Sequence, residues 1–358
     1  MKPARPNLRD FSPATLRARF EAEGISPFRA DQVAQWLYAR GVDDPAQMTD
    51  LPAELREQLA SDYGTRALRV RDSQLSVDGT IKAALVTHDE RVIEAVLIPE
   101  EERTTLCVST QVGCPLACSF CATGTLGLDR NLGVAEIVEQ VVRMGELLPA
   151  GRRITNIVFM GMGEPLLNLA NVVEATKTLI HPKGFALAPR RVTVSTAGVV
   201  PRIADLLEQV PVNLAVSLHA ATDALRDELV PINKKFPLAE LFGALRSIPR
   251  ISRRHPIFFE YTLLAGVNDS QEDARRLVEL LRGMPAKVNL IPVNPHAGSP
   301  YRAPAPEVAE RFMAVLAGAG LTVTLRRSRG ADIDAACGQL AARPLARERR
   351  ALSSAAAG

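Results

Sequence analysis

From about residue 80 onward, short runs of β-branched and apolar residues alternate with longer stretches of helical period. The strand-like runs fall at 104–110, 154–160, 191–196, 212–218, 257–264, 287–292 and 321–326. Helical patterns occupy 133–147, 168–180, 199–209, 238–247, 270–282 and 305–318 between most of them. Strands separated by helices are joined by crossovers and build a parallel sheet. Six or more such units predict an α/β fold with a complete or partial βα barrel over 101–340, rather than a short doubly wound sheet. Two further β-rich runs, 80–87 and 91–98, flank His88-Asp89-Glu90 and predict a hairpin within 76–100. Residues 1–75 read as a separate helical region. Ser12-Pro13 and Ser26-Pro27 each fit an N-cap followed by proline at the first helical position. Phe28, Val33, Trp36 and Leu37, then Leu51, Leu55 and Leu59, recur at near-helical spacing. The end, 341–358, is basic and then low in complexity, and is expected to be a frayed tail.

Composition narrows the class. The chain has 358 residues, of which 47% are hydrophobic and 23% charged. That excludes a disordered chain, a collagen-like fibre and a small disulfide scaffold. No apolar run approaches the roughly 18 residues of a membrane helix. The first residues lack the apolar stretch of a signal peptide, so a cytoplasmic location without membrane attachment is expected. Lys and Arg total 43 against 40 acidic residues. A formal charge of +3 does not by itself indicate a nucleic-acid partner.

The five cysteines change the picture: Cys107, Cys114, Cys118, Cys121 and Cys337. An odd number in a reducing compartment favours metal or thiol chemistry over structural disulfides. Cys114, Cys118 and Cys121 form a C-x3-C-x2-C run, three thiolates that can wrap one face of a metal centre from a single loop. Structural zinc and ordinary iron–sulfur cubanes want four protein ligands. Three leave one iron open, and Phe120 beside the last cysteine completes a run that resembles the signature of the radical S-adenosylmethionine superfamily. There the open iron chelates S-adenosylmethionine and delivers the electron that cleaves its sulfonium, giving a deoxyadenosyl radical. A zinc-stabilised RNA-binding scaffold, with a distant fourth ligand, is the alternative from another class.

Other marked residues fall at the C-terminal ends of the expected strands, the rim on which barrel active sites form. Gly161-Met-Gly-Glu-Pro165 follows the second strand, Ser195 ends the third, and Ser217-Leu218-His219 ends the fourth. Asn294 follows the sixth, and Cys337 lies in the loop after the last. Read alone, the Gly-Met-Gly-Glu-Pro run is either a turn into a helix or a backbone edge with a carboxylate for an amino group. The serines, His219 and Asn294 fit structural roles equally well. Cys107 and Cys337 fit buried apolar thiols or, near a methyl donor, nucleophiles.

Nearly end to end, the chain resembles the RlmN family of dual-specificity ribosomal and transfer RNA adenine-C2 methyltransferases. Leu106–Cys121, Gly161–Asn168, Ser217–Ala220, Pro231–Lys235 and Arg329–Gln339 carry the match. Thr125–Leu128 departs from the family pattern. The resemblance implies that Cys114, Cys118 and Cys121 hold one 4Fe–4S cluster. It implies S-adenosyl-L-methionine contacts at Gly163, Glu164, Ser195, Ser217, Leu218, His219 and Asn294. It makes Cys337 the thiol methylated first, Cys107 the resolving thiol that pairs with it in a transient disulfide, and Glu94 the proton acceptor. The first S-adenosylmethionine methylates Cys337. A second provides the radical that activates the S-methyl group for addition to adenine C2, an electron-poor carbon unable to attack a sulfonium itself. Proton loss and attack of Cys107 on Cys337 then release the product.

The implied partners are 23S ribosomal RNA, transfer RNA, and an external electron donor such as a flavodoxin, with the protein a monomer. The helical region 1–75 becomes an accessory RNA-recognition domain. Basic clusters suit phosphate contact: Arg190 and Arg191; Lys234 and Lys235; Arg246, Arg250, Arg253 and Arg254; and the arginines of 326–350. The reactive base must be single-stranded or unstacked to reach the rim. A Cfr-like adenine-C8 methyltransferase shares both thiols and is the nearest alternative.

Overall fold

The computed structural model describes residues 5–296, 298–326 and 328–341. The N-terminal helices are α1 (Pro13–Ala22), α2 (Pro27–Ala34) and α3 (Ala53–Asp62). The Ser12 hydroxyl caps α1 by accepting from the Thr15 amide, whereas Ser26 makes no side-chain cap on α2. Leu16, Phe20, Val33, Leu37, Leu55 and Leu59 face inward, but Phe28 is exposed.

The strands that follow are β1 (Leu68–Leu75), β2 (Ile81–Thr87), β3 (Val92–Pro99), β4 (Thr104–Cys107), β5 (Gln111–Cys114) and β6 (Gly127–Asn131). Crossover units then alternate: α4 (Val134–Gly145), β7 (Asn156–Phe159), α5 (Leu169–Ile180), β8 (Val192–Thr196), α6 (Ile203–Gln209) and β9 (Asn213–Ser217). The body ends with α7 (Asp223–Leu229), α8 (Leu238–Ser247), β10 (Ile257–Leu263), α9 (Gln271–Leu281), β11 (Ala286–Pro292), α10 (Pro306–Gly318) and β12 (Thr322–Leu325).

One ten-stranded sheet runs β1-β2-β3-β4-β7-β8-β9-β10-β11-β12. From β4 to β12 every neighbouring pair is parallel; β1 to β4 form an antiparallel flank. The sheet has β1 and β12 as its edges, so the expected partial barrel is what forms. The expected parallel strands and their crossover helices all occur, within a few residues of the predicted limits.

Two domain expectations need correction. Residues 68–75 are strand β1, not part of a helical region, which ends at Asp62. The sequence LRVRDSQL is mostly polar and half exposed, so neither apolar period marks it; pairing with β2 from Leu68–Thr87 to Leu75–Ile81 makes it a strand. The hairpin expected within 76–100 forms, as β2 and β3, but it is no linker: it continues the barrel sheet through the β3–β4 pairing. The region 341–358 lies outside the described residues apart from Ala341. Among the described residues no helix is long and apolar enough to cross a membrane.

Helix α4 is buried along most of its length, and its polar groups tie the N-terminal helices to the sheet. Asp43 pairs with Arg9 at 2.9 Å, Arg66 at 2.9 Å and Arg143 at 2.8 Å. Burial works against its charge, but Arg66, Arg9 and Arg143 outweigh it and hold the carboxyl below its usual range. Glu139, also on α4, accepts from the Ala67 and Leu68 amides and lies 3.3 Å from Arg143.

Candidate active site

The cysteine run hangs between β5 and β6, two short strands that pair antiparallel apart from the main sheet. Backbones meet so closely here that side chains are excluded. A Cβ on Gly113 would lie 1.9 Å from the Gly127 carbonyl oxygen, and one on Gly124 would lie 3.0 Å from Cys118 backbone atoms. The Cys121 amide donates to Cys118 (3.1 Å), and the Ser119 amide to Leu229 (3.1 Å). The thiols of Cys114, Cys118 and Cys121 pack against a small apolar cluster that includes Leu116, Phe120, Leu229 and Val293. Burial pushes the Cys114 thiol up to about 12 and raises Cys118 as well, with neighbouring thiols adding to both. These protons must leave when metal binds.

The donor set fits a cluster better than a single ion. Tetrahedral zinc holds its sulfurs at about 2.3 Å, which forces them within roughly 4 Å of one another. Among the described residues, the only group of three or more metal-type ligands converging within 4.8 Å is His88, Asp89 and Glu136. The three cysteine sulfurs are not all within that distance of one another, which suits the wider spacing of a cluster. Both carboxylates of the His88 group are already paired with Arg130, Glu136 at 2.8 Å.

Beside this loop, the turn after β7 is pressed onto the chain that follows β4. The Gly161 amide donates to Val108 (3.0 Å), the Met162 amide to the Ser109 hydroxyl (2.8 Å), and the Glu164 amide to the Gln111 side chain (2.9 Å). A Cβ on Gly161 would lie 2.7 Å from the Val108 carbonyl. Gly163, at φ +102°, has no room for one against Gln111. The Glu164 carboxylate is already in use: one oxygen accepts from the Leu166 amide (3.0 Å), the other from the Ala197 amide (2.8 Å). Burial pushes it up to about 7 despite those bonds. Its carboxylate therefore ties this turn to the end of β8, which leaves the backbone as the edge facing a ligand.

Ser195 and Ser217 lie on adjacent strands with their hydroxyl oxygens 3.4 Å apart. His219 is buried at φ +60°, a strained value for a residue with a side chain. Its Nδ1 accepts from the Thr262 amide (3.0 Å), its carbonyl accepts from Asn268 (2.8 Å), and its ring lies edge-on to Phe120 at 4.7 Å. Burial first, and Arg226 second, push its pKa down to about 3, so the ring is neutral. With Nδ1 accepting, the proton resides on Nε2, which is left as a donor.

Arg226 on α7, which sequence reasoning did not single out, holds these strand ends together. It is fully buried and donates to the carbonyls of Ala197 (2.6 Å), Leu218 (3.0 Å) and Ser217 (3.2 Å), and to the Asn233 side chain (2.8 Å). Asn233 is in turn held by Asp223 and Asp227. This explains the Pro231–Lys235 motif: Asn233 orients the arginine that shapes the rim. No sequence period marks Arg226.

A cavity of about 720 Å³ occupies the barrel interior, within the roughly 300–1,000 Å³ of ligand sites. Cys107, Cys121, Asn294, Arg326 and Cys337 line it, as do Glu260 and Asn289. Cys107 is a buried free thiol, and Cys337 is a free thiol exposed at the cavity. Burial pushes Cys107 up to about 12, with a charge on Cys337 adding to the shift and Arg326 opposing it. Burial also raises Cys337, again against Arg326. The structure thus brings the two distant cysteines to one cavity, with one guanidinium that favours both thiolates. Glu94 lies on the face of β3 that carries Val96, the cross-strand partner of Cys107. Its carboxylate accepts from the Ala341 amide (2.8 Å) and lies 3.6 Å from Lys82.

The loop carrying Cys337 has almost no regular structure and is strapped down by side chains. Asp78 accepts from the Gly330 amide (3.0 Å), Asp332 accepts from Ser76 and Val77, and Lys82 donates to the Asp334 carbonyl (3.3 Å). Two bonds join it to the cysteine-run loop: the Ala122 amide to Gly338 (2.7 Å) and the Thr123 hydroxyl to Leu340 (2.6 Å). Of the basic clusters, Arg190 and Arg191 line the cavity with Arg103, and Arg253 and Arg254 are exposed. Arg250 donates to the Val210 carbonyl (3.2 Å).

Comparison with known proteins agrees with this geometry. Residues 108–281 match the radical SAM superfamily model, and residues 6–63 match the ribosomal RNA large subunit methyltransferase N-terminal domain. A dual-specificity RNA methyltransferase RlmN from an Anaeromyxobacter species is 51% identical over 345 residues, covering 94% of this chain and 91% of the relative. The protein of that name from Marinobacter nauticus is 48% identical over 349 residues, covering 96% and 95%. The crystal structure of a radical SAM methyltransferase from Sphaerobacter thermophilus superposes with a TM-score of 0.88 at 44% identity, over 94% of this chain and all of that one. The superfamily match brings with it a 4Fe–4S cluster and S-adenosylmethionine as cofactors. A cysteine run at a barrel rim, two thiols on one cavity and this extent of identity lead to one assignment: the chain is an enzyme of the RlmN family of radical SAM methyltransferases.

Proposed function

We propose that the protein methylates C2 of an adenine in 23S ribosomal RNA and in transfer RNA, with Cys337 as methyl carrier and Cys107 as the thiol that releases the product. The observation that carries this reading is the shared cavity. Two thiols 230 residues apart in sequence face one cavity beside the cysteine run, and Arg326 among its lining arginines favours the charge of both. A transferase that passed the methyl group straight to its substrate would need neither.

Cys114, Cys118 and Cys121 would hold the cluster, which with S-adenosylmethionine supplies both a methyl donor and a carbon-centred radical. The Gly163-Glu164 backbone, Ser195, Ser217, Leu218, His219 through its Nε2 hydrogen, and Asn294 would hold S-adenosylmethionine. Arg326 offsets the burial that disfavours thiolates, so Cys337 can take a methyl group by displacement. Once the methyl carbon is bonded to adenine C2, Glu94 takes the C2 proton. Cys107 then attacks the Cys337 sulfur, its pair forming the new S–S bond as the S–C pair leaves with the carbon, which takes one proton to become the C2 methyl group. Glu94 is capped by Ala341, so the end of the Cys337 loop must lift for this step. The N-terminal helices act in RNA recognition, a flavodoxin-type protein supplies electrons, and the enzyme works as a cytoplasmic monomer.

The test is nucleoside mass spectrometry of 23S ribosomal RNA and transfer RNA incubated with the reconstituted enzyme. 2-Methyladenosine in both supports the reading. 8-Methyladenosine would identify a Cfr-like activity, and unmodified RNA would remove the proposal.

A further inference from the structure

Glu260 is the one acidic residue in the apolar strand IFFEYTLL, and it turns inward. It is 4% exposed and lines the cavity with Cys107 and Cys337. Its neighbour across the parallel pairing of β10 and β11 is Asn289, whose side-chain amide donates to Oε1 at 2.8 Å. The other oxygen, Oε2, is buried and accepts no hydrogen bond. A buried carboxylate oxygen without a donor is costly unless a ligand supplies one. Since a carboxylate accepts, the amide nitrogen of Asn289 must face it, and Asn289 Oδ1 is turned the other way. The pair therefore offers two acceptor oxygens, Glu260 Oε2 and Asn289 Oδ1. Glu260 is the cross-strand neighbour of Ser217, and with Asn289 it lines the cavity that holds the two thiols and Asn294.

We propose that Glu260 and Asn289 form a base-reading edge, accepting hydrogen bonds from the exocyclic N6 amine of the target adenine. This rests on the adenine substrate proposed above and deepens it. Adenine presents an amino donor at that position, whereas guanine presents the O6 acceptor. Two acceptors welcome the first and repel the second. Held by its amine, the base keeps C2, one ring nitrogen away from the amine-bearing carbon, free for Cys337.

The test pairs a protein change with a change in the base. A synthetic RNA carries either adenine or purine, which lacks the amine but keeps C2–H, at the target position. Reconstituted wild-type enzyme and Glu260→Gln are compared by kcat/KM for C2 methylation. The wild type should prefer adenine over purine by roughly 10–100-fold. Glu260→Gln should bring that ratio close to one, mainly by losing activity on adenine. The ratio is taken within one preparation, so a partly folded variant still reports it; if Glu260→Gln is inactive, Asn289→Ser carries the same measurement. A wild type indifferent to the amine would overturn the assignment. So would a variant that loses activity equally on both bases, as expected if Glu260 only supports the fold or holds S-adenosylmethionine. Failure of the wild type to methylate C2 of the adenine RNA would instead remove the proposed function.

Discussion

The two loops that carry the reactive sulfurs are built by opposite means. The loop of Cys114, Cys118 and Cys121 is fixed by backbone: at Gly113 and Gly124 other backbone atoms come so close that no side chain fits. The loop of Cys337 has little backbone structure, and replaceable side-chain bonds from Asp78, Lys82, Glu94 and Asp332 hold it. A metal site needs its ligands set at fixed spacing before the metal arrives. In the proposed cycle Cys337 takes a methyl group, carries a base and then accepts attack from Cys107, so it must change partners, and such straps can be released one at a time. Where the two loops touch, at Ala122–Gly338 and Thr123–Leu340, the Cys337 loop remains registered on the cysteine-run loop.

The largest expected effect separates the two loops outright. Cys118→Ala should lose iron and the broad visible absorbance of the cluster, and with them all methylation. Cys337→Ala should keep full iron content yet transfer no methyl group. Iron loss in Cys337→Ala would contradict the division of labour between the loops.

Next in size is Arg226, which braces the strand ends between the loops. Arg226→Met removes the guanidinium donors of the buried Ala197 and Ser217 carbonyls and one of the two donors of Leu218, which keeps the Ala220 amide. Stability should fall by about 3 kcal/mol or more. KM for S-adenosylmethionine should rise as well, measured on whatever fraction stays folded. A loss of stability with unchanged KM would make Arg226 a fold residue only.

A smaller effect is expected from Glu164, pushed up to about 7 by burial. Its ordinary value is near 4.5, so the folded pKa is the raised one. Its stabilising contribution is complete below about 4.5 and is lost as pH rises through 7. Glu164→Gln should flatten the fall in denaturation midpoint between these limits, whatever its overall offset. An unchanged slope would show that other groups set the pH dependence.

The smallest change is expected at the straps. Burial works against the Asp78 charge, but its hydrogen bonds from Thr80, Gly330 and Ser76 outweigh it and lower the carboxyl to about 2. Its contribution therefore holds above about 3.8 and is lost on acidification towards 2. Asp78→Ala should cost less than about 1 kcal/mol near neutral pH, but should speed proteolysis within the Cys337 loop. Unchanged cleavage would mean that the remaining straps suffice.

The same contrast decides what could be read from sequence. The cysteine run was legible because iron–sulfur ligation demands a fixed local spacing. The parallel strands were legible because strands buried on both faces read as β-branched runs. β5, β6 and α7 were not: QVGC and GLDRN are short and glycine-bearing, and DALRDEL is seven mostly polar residues. Their structure comes from what they pair with. Arg226 and Asn289 were invisible for the same reason, since only the fold brings partners to them. Glu260 did leave a signal, a charge inside an apolar strand. The positions of Cys107 and Cys337 were expected only through resemblance to a family, and the cavity supplies the physical reason that their spacing lacks.

The central claim is that Cys337 carries the methyl group to the base and Cys107 frees it. The most direct measurement is a single incubation of reconstituted Cys107→Ala with RNA, followed by denaturing electrophoresis and mass spectrometry. The account predicts a covalent protein–RNA adduct, mapped to Cys337 and absent from the Cys337→Ala control. Free methylated RNA from Cys107→Ala, at a rate near that of the wild type, would contradict it.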